Sequence, residues 1–541
     1  MNTELRIETT EESQAVGLTA KDFTMPLTEV LASRGYPLNK RCGGRDLCGG
    51  CEVGLKCGEL KQTRDGVSVP CGDRLRACQL HLVEGRNTTV VIPARSLLKH
   101  EPSVVAEFKV NVPWGRNPID PAACYGAAVD IGTTTVALVL VEMATGKVLA
   151  GASDFNAQIR YGEDVLTRIQ MCHMDPAAVG ELQKAIAVDT IQPLIEEACA
   201  AARLTPADLG VMTVAANTTM MHLLAGVDPS PLGLYPFKPA FLEHRAYAPA
   251  ELNLKFGGEG AKVHLLPGPA AYVGADLSAG VVATGMQYSE GPVIIVDVGT
   301  NGEIIAKVGD RLVGTATAAG PAFEGAGLTS GTRGIKGAIE RITMSRDPYA
   351  VNLQIIGGET RPVGICGSAY VDFLWGGRRN GALQRNGRFA DDFLQQPGVR
   401  SEKDEFGRRL RLHPNGVSGP VWVSEVDISR LQQAKAAIAA GIEVLLGLLD
   451  TKPADVKTLY LCGGFGMHLS LDHAVGCGLL PGFRPDQIQV MGNSSLAGAF
   501  LVLNDRSLLA EMKAVCANME SIELNQQPGF EDIFIDHLSL N

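Results

Sequence analysis

The chain has 541 residues, 45% of them hydrophobic and 20% charged, a make-up that fits a globular protein large enough to bury more than one core. Its net charge of -11, with no basic stripe carrying interleaved aromatics, argues against a nucleic-acid backbone as partner. The 13 cysteines are odd in number, and residues 1–12 lack the basic and apolar regions of a secretory signal; a disulfide framework is disfavoured and a reducing cytoplasm is expected.

Residues 1–93 read as a first module: polar strands, a helical stretch at 27–34, a cysteine loop, then a strand at 88–92. The run 42-CGGRDLCGGC-51 offers Cys42, Cys48 and Cys51, and Cys78 follows in 75-LRACQL-80. Three thiolates from a short loop and a fourth from a distant segment is the ligand arrangement of a [2Fe-2S] ferredoxin cluster. The first gap holds five residues where the plant-type signature holds four, closer to the adrenodoxin-like variant. Glycines 43, 44, 49 and 50 give the loop room for backbone amides to approach the sulfides. Zinc is the rival reading, but Cys48 and Cys51 form one C-x2-C pair where a zinc ribbon presents two. Cys57 and Cys71 fit no second cluster and read as spare, buried thiols.

Residues 94–123 carry Pro102, Pro113, Pro118 and Pro121 and read as a semi-extended linker, a tether on which the first module could swing. The next module opens with 125-YGAAVDIGTTTVALVLVEMATGKVL-149, two apolar strands around a tight turn. Gly132 allows a phosphate close approach, Thr133, Thr134 and Thr135 can donate to it, and Asp130 can hold a hydrated Mg2+ ion. Taken alone, this is equally a buried hairpin. The design recurs in 293-VIIVDVGTNGEIIAKVGDRLVG-314, with Asp297, Gly299, Thr300, Asn301 and Gly302 in the turn, which implies an internal duplication. Further on, 458-TLYLCGGFGMHLSL-471 places Gly463, Gly464 and Gly466 after an apolar strand, and 492-GNSSLAGA-499 precedes an apolar helix, where Ser494 and Ser495 could be nucleotide-side residues or simple caps. No G-x-x-x-x-G-K-[ST] is present, so the alternative phosphate loop lacks its lysine.

Two strand-Asp-x-Gly-Thr-strand hairpins followed by a glycine-rich turn resemble the actin-like and sugar-kinase-like ATPases, in which two lobes grip a nucleotide. With the cysteine module, and with runs such as 156-NAQIRYGEDVLTRI-169, 216-ANTTMMHLLAG-226, 267-PGPAAYVGADLSAG-280, 317-TAAGPAFEGAGL-328 and 364-GICGSAY-370, nearly the whole chain resembles the ATP-dependent reductive activators of corrinoid proteins. The resemblance implies a multidomain α/β and α+β chain: a β-grasp ferredoxin-like domain at 1–93, a linker at 94–123, and two ribonuclease-H-like lobes at 124–285 and 286–541.

It also implies the function, ATP-assisted one-electron reduction of Co(II) to Co(I) in a corrinoid methyltransferase system. The cluster cysteines would then donate the electron, and Asp130, Gly132, Thr133, Thr134, Asp297, Gly299, Thr300, Asn301, Gly463, Gly464 and Gly466 would form the ATP and Mg2+ site. A corrinoid protein, a low-potential electron donor and a second copy of the chain are the implied partners. Plant-type clusters sit near roughly -400 mV, while corrinoid Co(II) is harder to reduce and each ~59 mV of deficit costs tenfold, hence the need for ATP. Three other readings stay open: a sugar or acetate kinase, an ATP-driven activator of a dehydratase, and a non-enzymatic redox sensor. The Arg- and Gly-rich stretch 376–416 reads as a solvated loop or, more sharply, as a docking face around Arg378 and Arg379. The apolar stretch 436–449 reads as a buried helix too short to span a bilayer.

Overall fold

The computed structural model describes residues 3–9, 13–36, 38, 51–93, 96, 107–162, 164–299, 301–346, 348–404, 407–417 and 419–540. Cys42, Cys48 and Thr300 lie outside the described residues.

The first module contains β1 (Glu4–Glu8), β2 (Ser13–Gly17), α1 (Leu27–Ser33), β3 (Glu52–Cys57), β4 (Leu60–Gln62), β5 (Ser68–Val69), β6 (Gly72–Arg76), β7 (Leu80–Leu82) and β8 (Thr88–Val91). One sheet runs β2-β1-β8-β3-β6, a second β5-β4-β7. The β1–β8 pair is parallel and its neighbours antiparallel, which gives the mixed sheet of a β-grasp. Alternation in β1 turns Leu5 and Ile7 inward, where they join Leu27, Val30 and Leu31 of α1 in one core.

Residues 107–123 are extended but bonded to the body of the protein. Lys109 N donates to Met491 O at 2.9 Å, Asn111 N to Ala283 O at 3.0 Å and Ile119 N to Leu503 O at 3.0 Å. Trp114 meets Phe500 edge-on with ring centroids 5.5 Å apart. This part of the linker is a strap laid across the next module, so it leaves no tether from 107 onward.

The first lobe holds β9 (Tyr125–Ile131), β10 (Thr135–Glu142), β11 (Lys147–Phe155), α2 (Val165–Met174), α3 (Ala178–Ile186), α4 (Gln192–Ala201), β12 (Leu209–Ala216), α5 (Thr218–Leu224), β13 (Arg245–Tyr247), β14 (Lys262–Leu265) and α6 (Ala275–Thr284). The second holds β15 (Val293–Val298), β16 (Gly302–Val308), β17 (Arg311–Thr317), β18 (Ala338–Arg346), β19 (Tyr349–Ile355), β20 (Gly364–Ile365), α7 (Gly367–Arg379), α8 (Asp391–Leu394), β21 (Ser401–Asp404), β22 (Gly407–Gly416), β23 (Gly419–Ser424), α9 (Glu425–Leu448), β24 (Thr458–Cys462), α10 (Leu471–Gly476), β25 (Ile488–Gly492), α11 (Ser494–Asn504), α12 (Ser507–Asn518), β26 (Met519–Ser521) and α13 (Phe530–Leu538).

The central sheets run β11-β10-β9-β12-β14-β13 and β25-β24-β15-β16-β17-β26. In each, three strands meander antiparallel and two more add in parallel beside the first: β12 and β14 in one lobe, β24 and β25 in the other. The duplication is thus visible as topology. Strands such as β10, TVALVLVE, are buried on both faces and read as continuous apolar runs.

The lobes do not separate cleanly at residue 286. Helix α11, late in the chain, packs into the first lobe's core through Leu496, Ala499, Leu501 and Leu503. Helix α6 divides its faces: Ala275, Ala279 and Val282 join that core, while Leu277 and Val281 join Val293, Ile295 and Ile305 of the second lobe. The two helices cross closely, since a Cβ on Gly498 would lie 2.3 Å from Ala279 O.

Two sequence expectations change. The described residues of the 376–416 stretch include the end of α7, α8, β21 and β22; Arg388 and Arg408 are committed to the buried Glu425 carboxylate at 2.9 and 3.1 Å. Helix α9 is longer than 436–449: a reciprocal cap starts it, Ser424 N donating to Asp427 Oδ2 at 2.8 Å and Asp427 N to Ser424 Oγ at 3.1 Å. Its 24 residues are long and apolar enough to cross a membrane, yet 78% of its most apolar window is buried inside the protein. Its small residues let it lie on the second sheet, a Cβ on Gly441 falling 2.7 Å from Ile304 Cδ1.

Candidate nucleotide and redox sites

The first phosphate-type turn is built by the β9–β10 hairpin, closed by Gly132 N donating to Thr135 O at 2.9 Å. A Cβ on Gly132 would lie 2.7 Å from that same oxygen, so the turn demands glycine. All three turn carbonyls are held from the protein side. Asn156 Nδ2 donates to Gly132 O at 3.0 Å, Arg168 Nη2 to Thr133 O at 2.5 Å and Asn156 N to Thr134 O at 2.9 Å. Because C=O and N–H of a trans peptide point in opposite directions, this turns the amides of Thr133 and Thr134 away from those donors. Asn217, which caps α5, donates from Nδ2 to Thr133 Oγ1 at 3.2 Å.

Asp130 ends β9 and meets α11. Asn493 Nδ2 donates to its Oδ2 at 2.8 Å and Ser495 Oγ to its Oδ1 at 2.6 Å. Burial raises the Asp130 pKa and these two bonds oppose it. The cap of α11 is Asn493, whose Oδ1 accepts from Leu496 N at 2.8 Å; Ser495 therefore serves the carboxylate and not the helix end, and Ser494 packs against Gly280.

In the second turn Gly299 N donates to Asn301 O at 3.0 Å. The register sets Asp297 directly opposite Glu303, two carboxylates within the short cross-strand spacing where like charges repel. Gly463 closes on this pair: its φ is +86° and ψ 155°, and a Cβ there would lie 2.7 Å from Asp297 Oδ1. Gly464 has open space at its Cα, while Gly466 is packed against Leu461. Asp276, in the first turn of α6, completes the group. Gly274 before it lets α6 approach α5, since a Cβ would lie 2.6 Å from Asn217 Cα and 2.7 Å from Asp276 Oδ1.

Asp130, Asp276, Asp297 and Glu303 keep part of their surface open to solvent, yet burial dominates their electrostatics, as for groups deep on a cleft wall. Burial and then Asp276 and Asp130 push Asp297 up to about 7; burial and then Asp130 push Asp276 up to about 7. Glu303 is raised well above its usual range by burial, Asp276 and Asp297. The two hairpins, one from each lobe, thus converge on one acidic cluster. Asp276 and Glu303 were not singled out from sequence, although an acid one residue past Gly302 in the repeated turn was a readable signal. Among the described residues no three His, Cys, Asp or Glu side chains are arranged to hold a metal by themselves.

In the first module, Cys51 and Cys78 are 2% and 7% exposed. The β3–β6 register and the bond from Ala77 N to Cys51 O, 3.1 Å, set Cys51 beside the Ala77–Cys78 segment. Gln79 Nε2 lies 3.7 Å from Cys78 Sγ. Two buried cysteines on neighbouring segments that are distant in sequence fit half of a cluster's ligand set. Cys57 and Cys71 are exposed, contrary to the expectation that they are buried; Cys57 Sγ donates to Thr89 Oγ1 at 3.2 Å.

Residues 291–541 match the family model described as the C-terminal domain of RACo, the ASKHA domain, and residues 125–289 match the RACo middle region. The chain belongs to the family of ATP-dependent reductive activators of corrinoid proteins. It is 29% identical to the corrinoid activation enzyme RamQ of Eubacterium limosum over 94% of this chain and 95% of that protein. It is 25% identical to the [Co(II) methylated amine-specific corrinoid protein] reductase of Methanosarcina barkeri, over 49% of each chain. Among solved structures it resembles a reductive activator for corrinoid, iron-sulfur protein, with a TM-score of 0.71 and 27% identity over 99% of this chain and 98% of the other.

Proposed function

We propose that this protein restores a corrinoid protein of a methyltransferase system by adding one electron to its Co(II) form, giving Co(I), with ATP bound between the two lobes driving the step. The observation that carries the reading is the convergence of the Asp130 and Asp297 hairpins on one acidic cluster in a chain that also brings the Cys51 backbone against the Ala77–Cys78 segment.

Cys42, Cys48, Cys51 and Cys78 hold a [2Fe-2S] cluster, which when bound supplies a one-electron couple near roughly -400 mV. The burial of Cys51 and Cys78 limits water there. In the body, the amides of Thr133 and Thr134 and the residues Gly299 and Asn301 would meet the nucleotide phosphates, Thr300 being assigned to the same role from the sequence alone, and Gly463 and Gly464 would let the backbone approach the nucleotide. Asp130, with both oxygens oriented by hydrogen bonds, would hold Mg2+. Asp297, pushed up to about 7, is matched to accept a proton from the attacking water near neutral pH.

Nucleotide drives reduction only by favouring one activator conformation whose grip on the Co(II) partner differs from the other's. A low-potential electron donor in the cytoplasm and a second copy of the chain are the further partners in this reading. The test is spectral: the reconstituted protein, a Co(II) corrinoid protein and a low-potential reductant should yield Co(I) with ATP and not without it. Equal reduction without nucleotide overturns the reading.

A further inference from the structure

Arg168 stands out as a cation that the reaction above does not use. It is fully buried, an arrangement that charged side chains adopt almost only when paired, yet among the described residues its hydrogen-bond partners are carbonyl oxygens and a thioether, not carboxylates. Its guanidinium donates to Thr133 O at 2.5 Å, Gly162 O at 3.1 Å and Gln158 Oε1 at 2.9 Å, with Met220 Sδ at 3.4 Å. Gln158 is itself buried and fixed through Nε2 to Leu182 O at 2.9 Å. Burial lowers the Arg168 pKa to about 9, offset in part by Asp164, so the group stays protonated at neutral pH.

We propose that Arg168 is a positioning residue for the nucleotide: it locks the Thr133 carbonyl, thereby orienting the Thr134 amide, and sets a positive charge behind the first phosphate turn that attracts the phosphates. The inference rests on the proposed ATP site. The geometry gives it two separable parts. The planar fork holds three oxygens at once, which lysine cannot copy. The charge acts across a poorly screened interior and favours a ligand in proportion to its phosphate charge.

The prediction is a dependence on ligand charge. ATP, ADP and adenosine binding to the full chain, in the presence of Mg2+, would be measured calorimetrically for the wild type, R168Q and R168K. R168Q should weaken ATP by roughly tenfold or more, equivalent to about 1.4 kcal/mol per tenfold, ADP by less, and adenosine hardly at all. R168K keeps the charge and loses the fork, and should recover part of the ATP affinity. If R168Q does not fold, R168K and the ratio of ATP to adenosine affinity still decide. Equal weakening of all three ligands would make Arg168 merely structural and overturn the inference, as would unchanged ATP binding. A wild type that binds no ATP would instead sink the functional reading on which this one rests.

Discussion

Replacing Asp297 by asparagine should stabilise the nucleotide-free protein while removing its response to nucleotide. Without a cation, Asp297 ionises against burial and against Asp276 and Asp130, which lift its pKa from 3.8 to about 7. A folded-state pKa above the unfolded value means that the native protein binds the extra proton between about pH 4 and 7. Stability is therefore present at low pH and lost as pH rises through that window. At about 1.4 kcal/mol per pH unit the difference amounts to roughly 4 kcal/mol. The carboxylate keeps part of its solvent contact and its neighbours relax when it is neutralised, so about 2 kcal/mol is the working expectation. D297N should thus raise the midpoint of thermal unfolding by a few degrees at pH 8, and by much less at pH 5. In the wild type, Mg2+ with ATP should stabilise more at pH 8 than at pH 6, because the cation relieves a repulsion that protonation otherwise removes. Thermal unfolding at these pH values, with and without Mg-ATP, measures all of this. A D297N protein that melts earlier than the wild type at pH 8, or that keeps the full Mg-ATP stabilisation, refutes the reasoning.

Other perturbations separate the modules. C51S or C78S should abolish the visible iron-sulfur absorbance after reconstitution, whereas C57S, altering an exposed thiol, should leave it intact; metal analysis checks both. G463A forces a side chain into a backbone region that is essentially glycine-only, costing about 1–3 kcal/mol, and sets a methyl group 2.7 Å from Asp297 Oδ1. ATP binding should weaken roughly tenfold or more, while iron content stays unchanged. N493A removes one of the two donors to Asp130, a charged hydrogen bond worth about 1.5–3 kcal/mol. ATP hydrolysis should fall roughly tenfold to a hundredfold, with its acid limb moved to higher pH, since less then opposes the burial that raises Asp130.

What was legible in the sequence was what a hairpin encodes locally. Asp130, Gly132 and Thr133, and again Asp297 and Gly299, sit within a few residues of one another, so the repeated strand-turn-strand pattern exposes them. Glu303 and Asp276 are different. Glu303 reaches the site because antiparallel register puts it opposite Asp297, and Asp276 because α6 starts against the cap of α5; neither relation is local in sequence. Arg168 lies 35 residues from the carbonyl it holds, a contact that only folding creates. The length of α9 was hidden because its first turns are polar: Glu425 and Asp427 serve a cap and an ion-pair network, so the apolar run begins long after the helix does. The strap at 107–123 looked like a tether because its prolines interrupt periodic structure, and prolines say nothing about whether the remaining amides find partners on another surface.

The same long-range threading explains how a nucleotide can be felt across the body. Asp130 belongs to the first lobe's opening strand, yet both of its hydrogen-bond donors come from the start of α11, which follows strand β25 of the second lobe. Helix α11 in turn lies on β12, where Thr213 Oγ1 donates to Ala499 O at 2.9 Å, and crosses α6 at glycine distance. Helix α6 carries Asp276 at its start and has one face in each lobe's core. In the proposed site, a cation and phosphates that neutralise Asp130, Asp276 and Asp297 together would remove repulsion between groups anchored to both sheets. That relief would favour one relative setting of the lobes over another, and the strap, bonded to α11 and to the end of α6, would feel the same setting.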